Sequence, residues 1–469
     1  MAQKRESLHG QWSGRWAFVL AATGSAVGLG NIWKFPYITG ENGGGAFVLV
    51  YLLCIAVIGI PIMIAEVMLG RRGRRSPINT MRHLAWDEMR SPHWQYLGWA
   101  GMIAGFLILS YYSVIAGWAL AYFFRTAAGT FTGVTADGAN SIFSGLVSDP
   151  ERLLAWHTIF MVMTIVVVAR GVRSGLEQAV RYLMPALFVL LVVLVGYAMN
   201  TDSFAAGLSF LFTPDFHALL YKADAAGVEH LSWNSVLIAL GHAFFTLSLG
   251  MGAIMIYGSY LPERTSIAKT SIMIAGMDTL VALLAGMAIF PIVFANGLEA
   301  GAGPGLIFQT LPIAFGHMPG GAFFGSLFFL LLTFAAWTSA ISLIEPAVTW
   351  MVENHGVNRI YASVWSGIAT WLLGVGTVLS FNVLSGEEYQ LFGKTFFDLL
   401  DYLTANLMLP LGGLFIALFA GWQMRRRSNL DELGMGDGPG FRLWFFLIRY
   451  ITPLAVVVVF LNAIGVITF

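Results

Sequence analysis

Hydroxyl side chains with helical spacing lie in one long apolar stretch, FAAWTSAISLIEP at 334–346. Ala335, Thr338 and Ser339 are at i, i+3 and i+4, so a helix would place them on one face. Uncharged oxygens are ligands that a hard monovalent cation can use where the dielectric constant is low. The two hydroxyls could instead donate to carbonyls one turn earlier in their own helix. The spacing alone favours this second interpretation.

Glycines interrupt two other apolar stretches, AATGSAVGLGNIWKFPY and GHAFFTLSLGMGAIMIYGSY. The glycines are Gly24, Gly28 and Gly30 in the first stretch, and Gly250 and Gly252 in the second. Glycine lowers helix stability by about 1 kcal/mol relative to alanine. A broken membrane helix is tolerated where its freed backbone groups line a cavity or contact polar ligands. One such stretch could simply pack closely against a neighbour, but two in corresponding positions indicate a binding site at the bilayer midplane.

The composition indicates a membrane protein. The chain has 469 residues, of which 57% are hydrophobic and 11% are charged, a balance that a soluble protein with a polar surface does not reach. Its 25 basic and 25 acidic residues cancel, so neither nucleic acid nor an anionic surface is expected as the main partner. Cys54 is alone and allows no intrachain disulfide. The first 15 residues are polar and basic, and no cleaved signal peptide is expected.

Eleven apolar segments, called spans 1 to 11 below, are long enough to cross about 30 Å of hydrocarbon. They lie near 16–38, 44–70, 97–125, 153–170, 177–199, 233–260, 268–296, 322–352, 358–382, 397–423 and 441–468. Their long apolar runs lack the alternation of barrel strands, so helices are predicted.

Basic clusters follow even-numbered spans: Arg71, Arg72, Arg74 and Arg75; Arg170 and Arg173; Arg264 and Lys269; Arg425, Arg426 and Arg427. The positive-inside rule places these loops and the N-terminus in the cytoplasm and Phe469 outside. We therefore predict a multi-pass protein of the cell inner membrane. Its predicted parts are a cytoplasmic segment 1–15, a first transmembrane repeat 16–200, a second repeat 232–424 and an eleventh helix 441–468.

The motifs, in their order along the chain, resemble the neurotransmitter:sodium symporter family. They are GSAVGLGNIWKFP at 24–36, ENGGGAF at 41–47, GIPIMIAEVMLGR at 59–71, YY at 111–112, FFTLSLGMG at 244–252, FAAWTSAISLIEP at 334–346 and FDLLD at 397–401. The resemblance implies an all-α polytopic membrane protein with a LeuT-like 5+5 inverted repeat, discontinuous spans 1 and 6, and an eleventh helix. It also implies a sodium-coupled symporter that imports an amino acid by alternating access.

The same resemblance implies two sodium sites. One lies between spans 1 and 8 and uses the carbonyls of Gly24, Val27 and Ala335 and the hydroxyls of Thr338 and Ser339. The other uses the Ala26 carbonyl, the Asn31 side chain, both oxygens of Thr246, and Asp278. The substrate carboxylate is its further ligand, which would couple ion and substrate binding.

The substrate is expected between the two broken spans. Its carboxylate would contact the amides of Leu29 and Gly30 and the Tyr112 hydroxyl, and its ammonium group the carbonyls of Ala26, Phe245 and Thr246 and the Ser248 side chain. Half-helix dipoles favour a ligand of this polarity. The substrate side chain would meet Ser25, Ile108, Tyr112, Phe245, Met251, Ser339 and Leu343.

The expected substrate is a hydrophobic amino acid, since this pocket is mostly apolar and includes an adaptable methionine. Amine carriers of the family have an aspartate at the position that we align with Gly24. A substrate without its own carboxylate is therefore disfavoured.

Gate residues also follow from the resemblance. An outer ion pair between Lys34 and Asp401 would close over the substrate, although lysine lacks the bidentate fork of the usual arginine. At the inner side Glu353 and Tyr260 match, whereas His9 replaces the usual arginine. This inner contact would then be pH-sensitive. Alternatively Lys4 or Arg5 substitutes for the arginine, or no pair forms.

Asp278 aligns with an asparagine near the chloride site of animal members, and His242 and Tyr51 align with other residues of that region. The Asp278 carboxylate could supply the negative charge of chloride, so transport is expected to be chloride-independent. Asp278 would bind a proton on the empty return step, giving proton antiport. The alternative is a structural hydrogen bond between Asp278 and His242.

A membrane enzyme and a channel are the two alternative classes of function. A membrane enzyme would need a reactive constellation, and the chain has neither an HExxH motif nor a cysteine pair. A channel also needs broken helices and ion ligands. Two gates around one central site favour a carrier with alternating access. The sequence does not indicate which amino acid is carried or the oligomeric state.

Overall fold

The computed structural model describes residues 7–223, 229–300, 305–463 and residue 466. Within these residues, nine uninterrupted apolar helices are long enough to cross a bilayer. Spans 2 to 5 are Gly45–Gly73, Pro92–Ala127, Pro150–Ala169 and Val172–Ala198, and spans 7 to 11 are Ile267–Ala295, Gly321–His355, Arg359–Ser380, Phe396–Gln423 and Pro439–Asn462. The last residues predicted for span 11, the terminal Phe469, and Lys4 and Arg5 lie outside the described part of the chain.

Spans 1 and 6 are each made of two helices. Span 1a, Arg15–Ala26, and span 1b, Gly30–Glu41, are bent by 50° relative to each other. Span 6a, Asn234–Thr246, and span 6b, Ala253–Ser259, are separated by residues 247–252. Both breaks fall where the glycines predicted them.

Shorter elements connect the spans. Helices Pro77–Asp87 and Arg426–Leu433 follow spans 2 and 10, and helices Ala136–Val147, Phe204–Phe212, Phe216–Leu220 and Leu306–His317 lie in the loops at the opposite end. Strands Tyr221–Ala223 and Glu229–Leu231 pair antiparallel, with Tyr221 opposite Leu231. Local sequence explains several helix starts. Pro77 and Pro150 occupy first-turn positions that need no amide donor, and Thr395 and Asp398 form a capping box at span 10.

The centre of the protein is built around the two breaks. Spans 3 and 8 pack extensively against each other, and span 1a packs against spans 5, 7 and 8. Small residues permit this proximity: a Cβ atom on Gly105 would lie 3.1 Å from the Leu343 carbonyl oxygen, and one on Gly101 would lie 3.2 Å from the Gly250 oxygen. Span 3 therefore lies directly against the break in span 6.

Candidate functional site

The break in span 1 turns backbone carbonyls toward span 8. The helix ends at Ala26, and Val27 has an extended conformation with ψ 109°. Carbonyls near the end of span 1a therefore lack the amide partners that a continuous helix would supply. The Ser339 hydroxyl lies 3.3 Å from the Gly24 oxygen and 3.1 Å from the Val27 oxygen. It also lies 3.2 Å from the oxygen of Ser25.

Thr338 completes this oxygen cluster on span 8. Its hydroxyl lies 3.1 Å from the Ala335 oxygen. It also lies 3.2 Å from the Phe334 oxygen, which is the bond to its own helix considered above as the alternative. Both hydroxyl-bearing residues are buried. The Ser339 hydroxyl thus contacts the Gly24 and Val27 carbonyls, whereas the Thr338 hydroxyl contacts carbonyls of its own helix, including that of Ala335. All of these oxygens are uncharged, which suits a monovalent cation.

A second cluster contains a carboxylate. The Asn31 side-chain nitrogen lies 2.8 Å from Asp278 Oδ1 and 3.0 Å from Thr246 Oγ1. The Thr246 hydroxyl donates to Asp278 Oδ2 at 3.0 Å, and the Gly28 amide donates to Asn31 Oδ1 at 3.0 Å. These side chains come from spans 1, 6 and 7. Three of the residues predicted for the second sodium site therefore contact one another directly.

Residues in the break of span 6 have unusual backbone conformations and bond to spans 1 and 2. Ser248 has φ 54°, unusual for a residue other than glycine, and Gly250 has φ 81°. The Ser248 hydroxyl donates to the Ser25 oxygen at 2.8 Å, which joins the two breaks. Glu66 of span 2 accepts a hydrogen bond from the Gly250 amide at 2.6 Å. Glu66 is not among the site residues predicted from the sequence, although an ionisable group inside an apolar span is a signal of function.

A small cavity lies between the breaks. Its lining is Ser25, Ala26, Gly28, Gly30, Ile108, Tyr112, Phe245, Ser248, Met251, Ser339 and Leu343. All the predicted substrate residues belong to it except Leu29 and Thr246. The Leu29 amide nevertheless donates to the Tyr112 hydroxyl at 3.1 Å. The cavity volume is about 20 Å³, enough for about one water molecule, so the walls must separate to admit an amino acid.

Gly28 lies at the cavity and Gly24 does not, contrary to the prediction. A Cβ atom on Gly24 would lie 3.1 Å from the Met184 sulfur and 3.2 Å from the Thr338 Cβ, and Gly24 does not line the cavity. A Cβ atom on Gly28 would lie 2.6 Å from both the Tyr112 hydroxyl and the Ser339 hydroxyl. An aspartate placed in the cavity by this stretch would therefore stand at Gly28. The two positions differ because the helix ends between them.

A larger vestibule of about 420 Å³ lies on the other side of Phe245 and is lined by Lys34, Asp401 and His242, among others. Lys34 Nζ lies 4.7 Å from the centre of the Phe245 ring. Asp401 accepts a hydrogen bond from the Tyr111 hydroxyl at 3.2 Å. Among the described residues no ion pair joins Lys34 to Asp401, so the two predicted gate residues face one vestibule without closing it.

The inner end is closed around Glu353. His9 Nε2 lies 3.0 Å from Glu353 Oε1, and both side chains are almost fully buried. The Ser76 hydroxyl and the Asn79 amide donate to the same carboxylate at 2.6 and 2.8 Å. Tyr260 lies beside the His9 ring, with the ring centres 6.3 Å apart.

The partner of the Tyr260 hydroxyl differs from the expected one. It donates to Glu345 at 2.8 Å, and Glu345 also pairs with Arg359 at 2.5 Å. Among the described residues, Tyr260 therefore does not bond to Glu353 directly. The His9 ring lies between them, beside Tyr260 and in contact with Glu353. Glu345 lies two turns before Glu353 on span 8, and the tyrosine reaches the nearer carboxylate.

His242 and Tyr51 lie side by side, with ring centres 5.4 Å apart. Within the described residues, neither ring nitrogen of His242 has a hydrogen-bond partner. The alternative of a structural hydrogen bond between Asp278 and His242 is therefore not present. Asp278 instead bonds to Asn31 and Thr246.

Comparisons with known proteins give a consistent result. Residues 9–135 and 145–468 match the model of the sodium:neurotransmitter symporter family. A sodium-dependent transporter of Bacillus subtilis is 40% identical over 462 residues, covering 98% of each chain. A sodium-dependent transporter of Haemophilus influenzae is 32% identical over 458 residues, covering 96% of this chain and 97% of the relative.

A solved structure extends the similarity to the fold. The crystal structure of MhsT in complex with L-phenylalanine is 43% identical in sequence, with a TM-score of 0.87. The match covers 97% of this chain and 99% of that one.

Proposed function

Since the chain belongs to the sodium:neurotransmitter symporter family, and is thus a sodium-dependent membrane transporter and not an enzyme, we propose that it imports a hydrophobic amino acid by alternating access. The observation that carries the proposal is the cavity between the two helix breaks. Its lining combines apolar side chains, among them Ile108, Met251 and Leu343, with the hydroxyl groups of Ser25, Tyr112, Ser248 and Ser339. The similar protein MhsT was crystallised with L-phenylalanine.

An amino acid satisfies this cavity better than an amine. Gly28 contributes no carboxylate at the point where a side chain would meet Tyr112. The substrate must therefore supply the negative charge next to the Leu29 amide and the tyrosine hydroxyl. The Tyr112 oxygen already accepts from the Leu29 amide, but an amine would offer no acceptor to the Tyr112 hydroxyl proton. An unpaired buried donor costs about 1–3 kcal/mol.

We assign one co-transported sodium ion to each polar cluster. The cluster of Thr338 and Ser339 is uncharged and does not depend on the substrate. The cluster of Asn31, Thr246 and Asp278 adjoins the cavity through Gly28, whose amide contacts Asn31. A substrate carboxylate bound there would add a ligand to the ion. Each would then raise the affinity for the other by the same factor.

The carboxylate of Asp278 supports chloride-independent transport with proton antiport. Asp278 has no exposed surface, and the described residues around it supply hydrogen bonds but no cation. A sodium ion would balance its charge during import, and a proton would balance it on the return step, because an isolated buried charge is unstable.

The two ends of the site fit the gating roles that we propose. The vestibule leads to Phe245, where Lys34 and Asp401 could meet on closure, whereas the His9–Glu353 contact closes the inner end. The end of the protein that carries the basic clusters after the even-numbered spans is called the arginine-rich end. We assign this end to the cytoplasmic side of a bacterial inner membrane, with the N-terminus inside and the C-terminus outside. The domain boundaries given above, 1–15, 16–200, 232–424 and 441–468, remain predictions.

Uptake into proteoliposomes tests the proposal. Radiolabelled amino acids, beginning with L-phenylalanine, are added to vesicles with sodium, with potassium replacing sodium, and with gluconate replacing chloride. We expect saturable uptake that needs sodium, is indifferent to chloride and is accompanied by proton movement out of the vesicles. Unsaturable ion flux would indicate a channel. Sodium-dependent uptake of amines but not of amino acids would refute the substrate class.

A further inference from the structure

Arg449 is a cation within span 11 that has no acidic partner among the residues that the structure describes. Its guanidinium carbon lies 4.3 Å from the ring centre of Trp422 and 5.6 Å from those of Phe445 and Tyr450. Its Nε is buried and has no hydrogen-bond partner among the described residues. Cation–π contacts stabilise the charge, but they leave the N–H donors available. An ionisable residue within a membrane span indicates a functional partner.

The neighbouring arginines differ from Arg449 in this respect. Each has a carboxylate within 4.0 Å: Arg425 with Glu88, Arg426 and Arg442 with Asp437, and Arg427 with Asp431. Arg449 differs from these four arginines, because none of the described residues supplies it with a counterion.

The position of Arg449 is held by the backbone. A Cβ atom on Gly421 of span 10 would lie 3.0 Å from the Arg449 Cα, so the two spans are in close contact here. The Trp422 indole donates to the Arg449 carbonyl at 2.9 Å. Both interactions hold the Arg449 backbone at the level where span 10 ends, one residue after Trp422.

The rings around Arg449 face outward. Trp422 is 47% exposed and Tyr450 49% exposed, with ring centres 5.7 Å apart, and Phe446 beside them is 50% exposed. Tryptophan and tyrosine concentrate at the membrane–water interface, which is the depth of lipid headgroups. A phosphate diester at this depth offers oxygen acceptors to a guanidinium fork.

We propose that Arg449, together with Trp422 and Tyr450, binds the phosphate group of one acidic phospholipid in the leaflet at the arginine-rich end. The missing counterion determines which lipid is favoured. An acidic lipid carries a net negative charge that can neutralise the Arg449 guanidinium, whereas a zwitterionic lipid carries no net charge. The rings contact the glycerol and upper acyl chains.

Native mass spectrometry of the full-length protein tests this site. Delipidated protein is titrated with phosphatidylglycerol, with phosphatidylcholine and with inorganic phosphate, and its thermal unfolding is followed in parallel. We expect one phosphatidylglycerol to bind tightly and raise the unfolding temperature. Arg449→Gln should weaken this binding about tenfold or more, because a charge-assisted bond is lost.

Two further variants make the result specific. Arg427→Gln removes an arginine that is 91% exposed and paired with Asp431, and it should bind the lipid like the wild type. Arg449→Lys keeps the charge without the fork and should retain part of the affinity, which tests the site even if the glutamine variant is unstable. Wild-type lipid affinity in Arg449→Gln, equal binding of phosphatidylcholine, or equal stabilisation by inorganic phosphate would overturn the proposal.

Discussion

Removing two hydroxyls from span 8 should abolish the response to sodium. Thr338→Val combined with Ser339→Ala deletes the two side-chain oxygens of the uncharged cluster and nearly preserves the packing. A hydrogen bond or comparable contact to a charged group contributes about 1.5–3 kcal/mol. Two lost ligands therefore correspond to about 3–6 kcal/mol, or roughly a 100-fold to 10,000-fold loss of sodium affinity. We expect no sodium-dependent transport at physiological sodium concentrations.

A matched control exists on the same helix. Thr333 is buried, and among the described residues its hydroxyl bonds to its own helix alone, at the Phe329 oxygen 2.8 Å away. Thr333→Val removes one hydroxyl of equal burial and should leave sodium dependence unchanged.

The assay is sodium-dependent binding of radiolabelled L-phenylalanine, or of the amino acid selected by the uptake screen, to purified protein. Thermal unfolding establishes that each variant is folded. A sodium half-saturation in the double variant within threefold of the wild type would refute the assignment of this cluster. An equal loss in Thr333→Val would show that the effect is structural.

Four other outcomes are expected. Gly28→Ala should abolish substrate binding, whereas Gly24→Ala, which faces a flexible methionine, should reduce it less; the reverse order in a binding assay would contradict the cavity geometry. Decarboxylated analogues should compete for uptake far more weakly than their parent amino acids, and equal inhibition constants would exclude the carboxylate contacts. Asp278→Asn should weaken sodium binding and either abolish transport or make it chloride-responsive, and an unchanged sodium affinity with unchanged proton movement would show that the residue is misassigned. His9→Gln should remove the pH dependence that we predict for inward opening, because the variant lacks the imidazole that contacts Glu353 at 3.0 Å; spectroscopic distances that are pH-independent in the wild type would refute this.

The fold could be predicted because its signals are local. Long apolar runs predict the spans, and glycines predict the breaks in spans 1 and 6. The LeuT-like class is implied by the family resemblance, and the similarity to MhsT confirms it. Residues on one regular helix could also be grouped correctly. Ala335 and Thr338 lie together because residues at i and i+3 share a helix face.

Side-chain directions beyond a break could not be predicted in the same way. Gly24 and Gly28 would share a face of a continuous helix, but the chain becomes extended at Val27, and the two positions face different surroundings. The choice of Tyr260 between two carboxylates on span 8 depends on tertiary distance alone. The ion and substrate roles themselves stay predictions until binding is measured.

The Glu66 carboxylate gives an amide in the non-helical break of span 6 the hydrogen bond that a helix would otherwise provide. The Gly250 amide belongs to no helix, yet it is buried and bonded at 2.6 Å, and the Leu29 amide is held in a similar way by Tyr112. These amides should therefore exchange their hydrogens with solvent as slowly as helical ones while the site is closed. Because each depends on a side chain from another span, separation of the spans breaks the bond at once. Deuterium uptake at these two amides therefore times the opening of the cavity in protein that holds neither substrate nor ions.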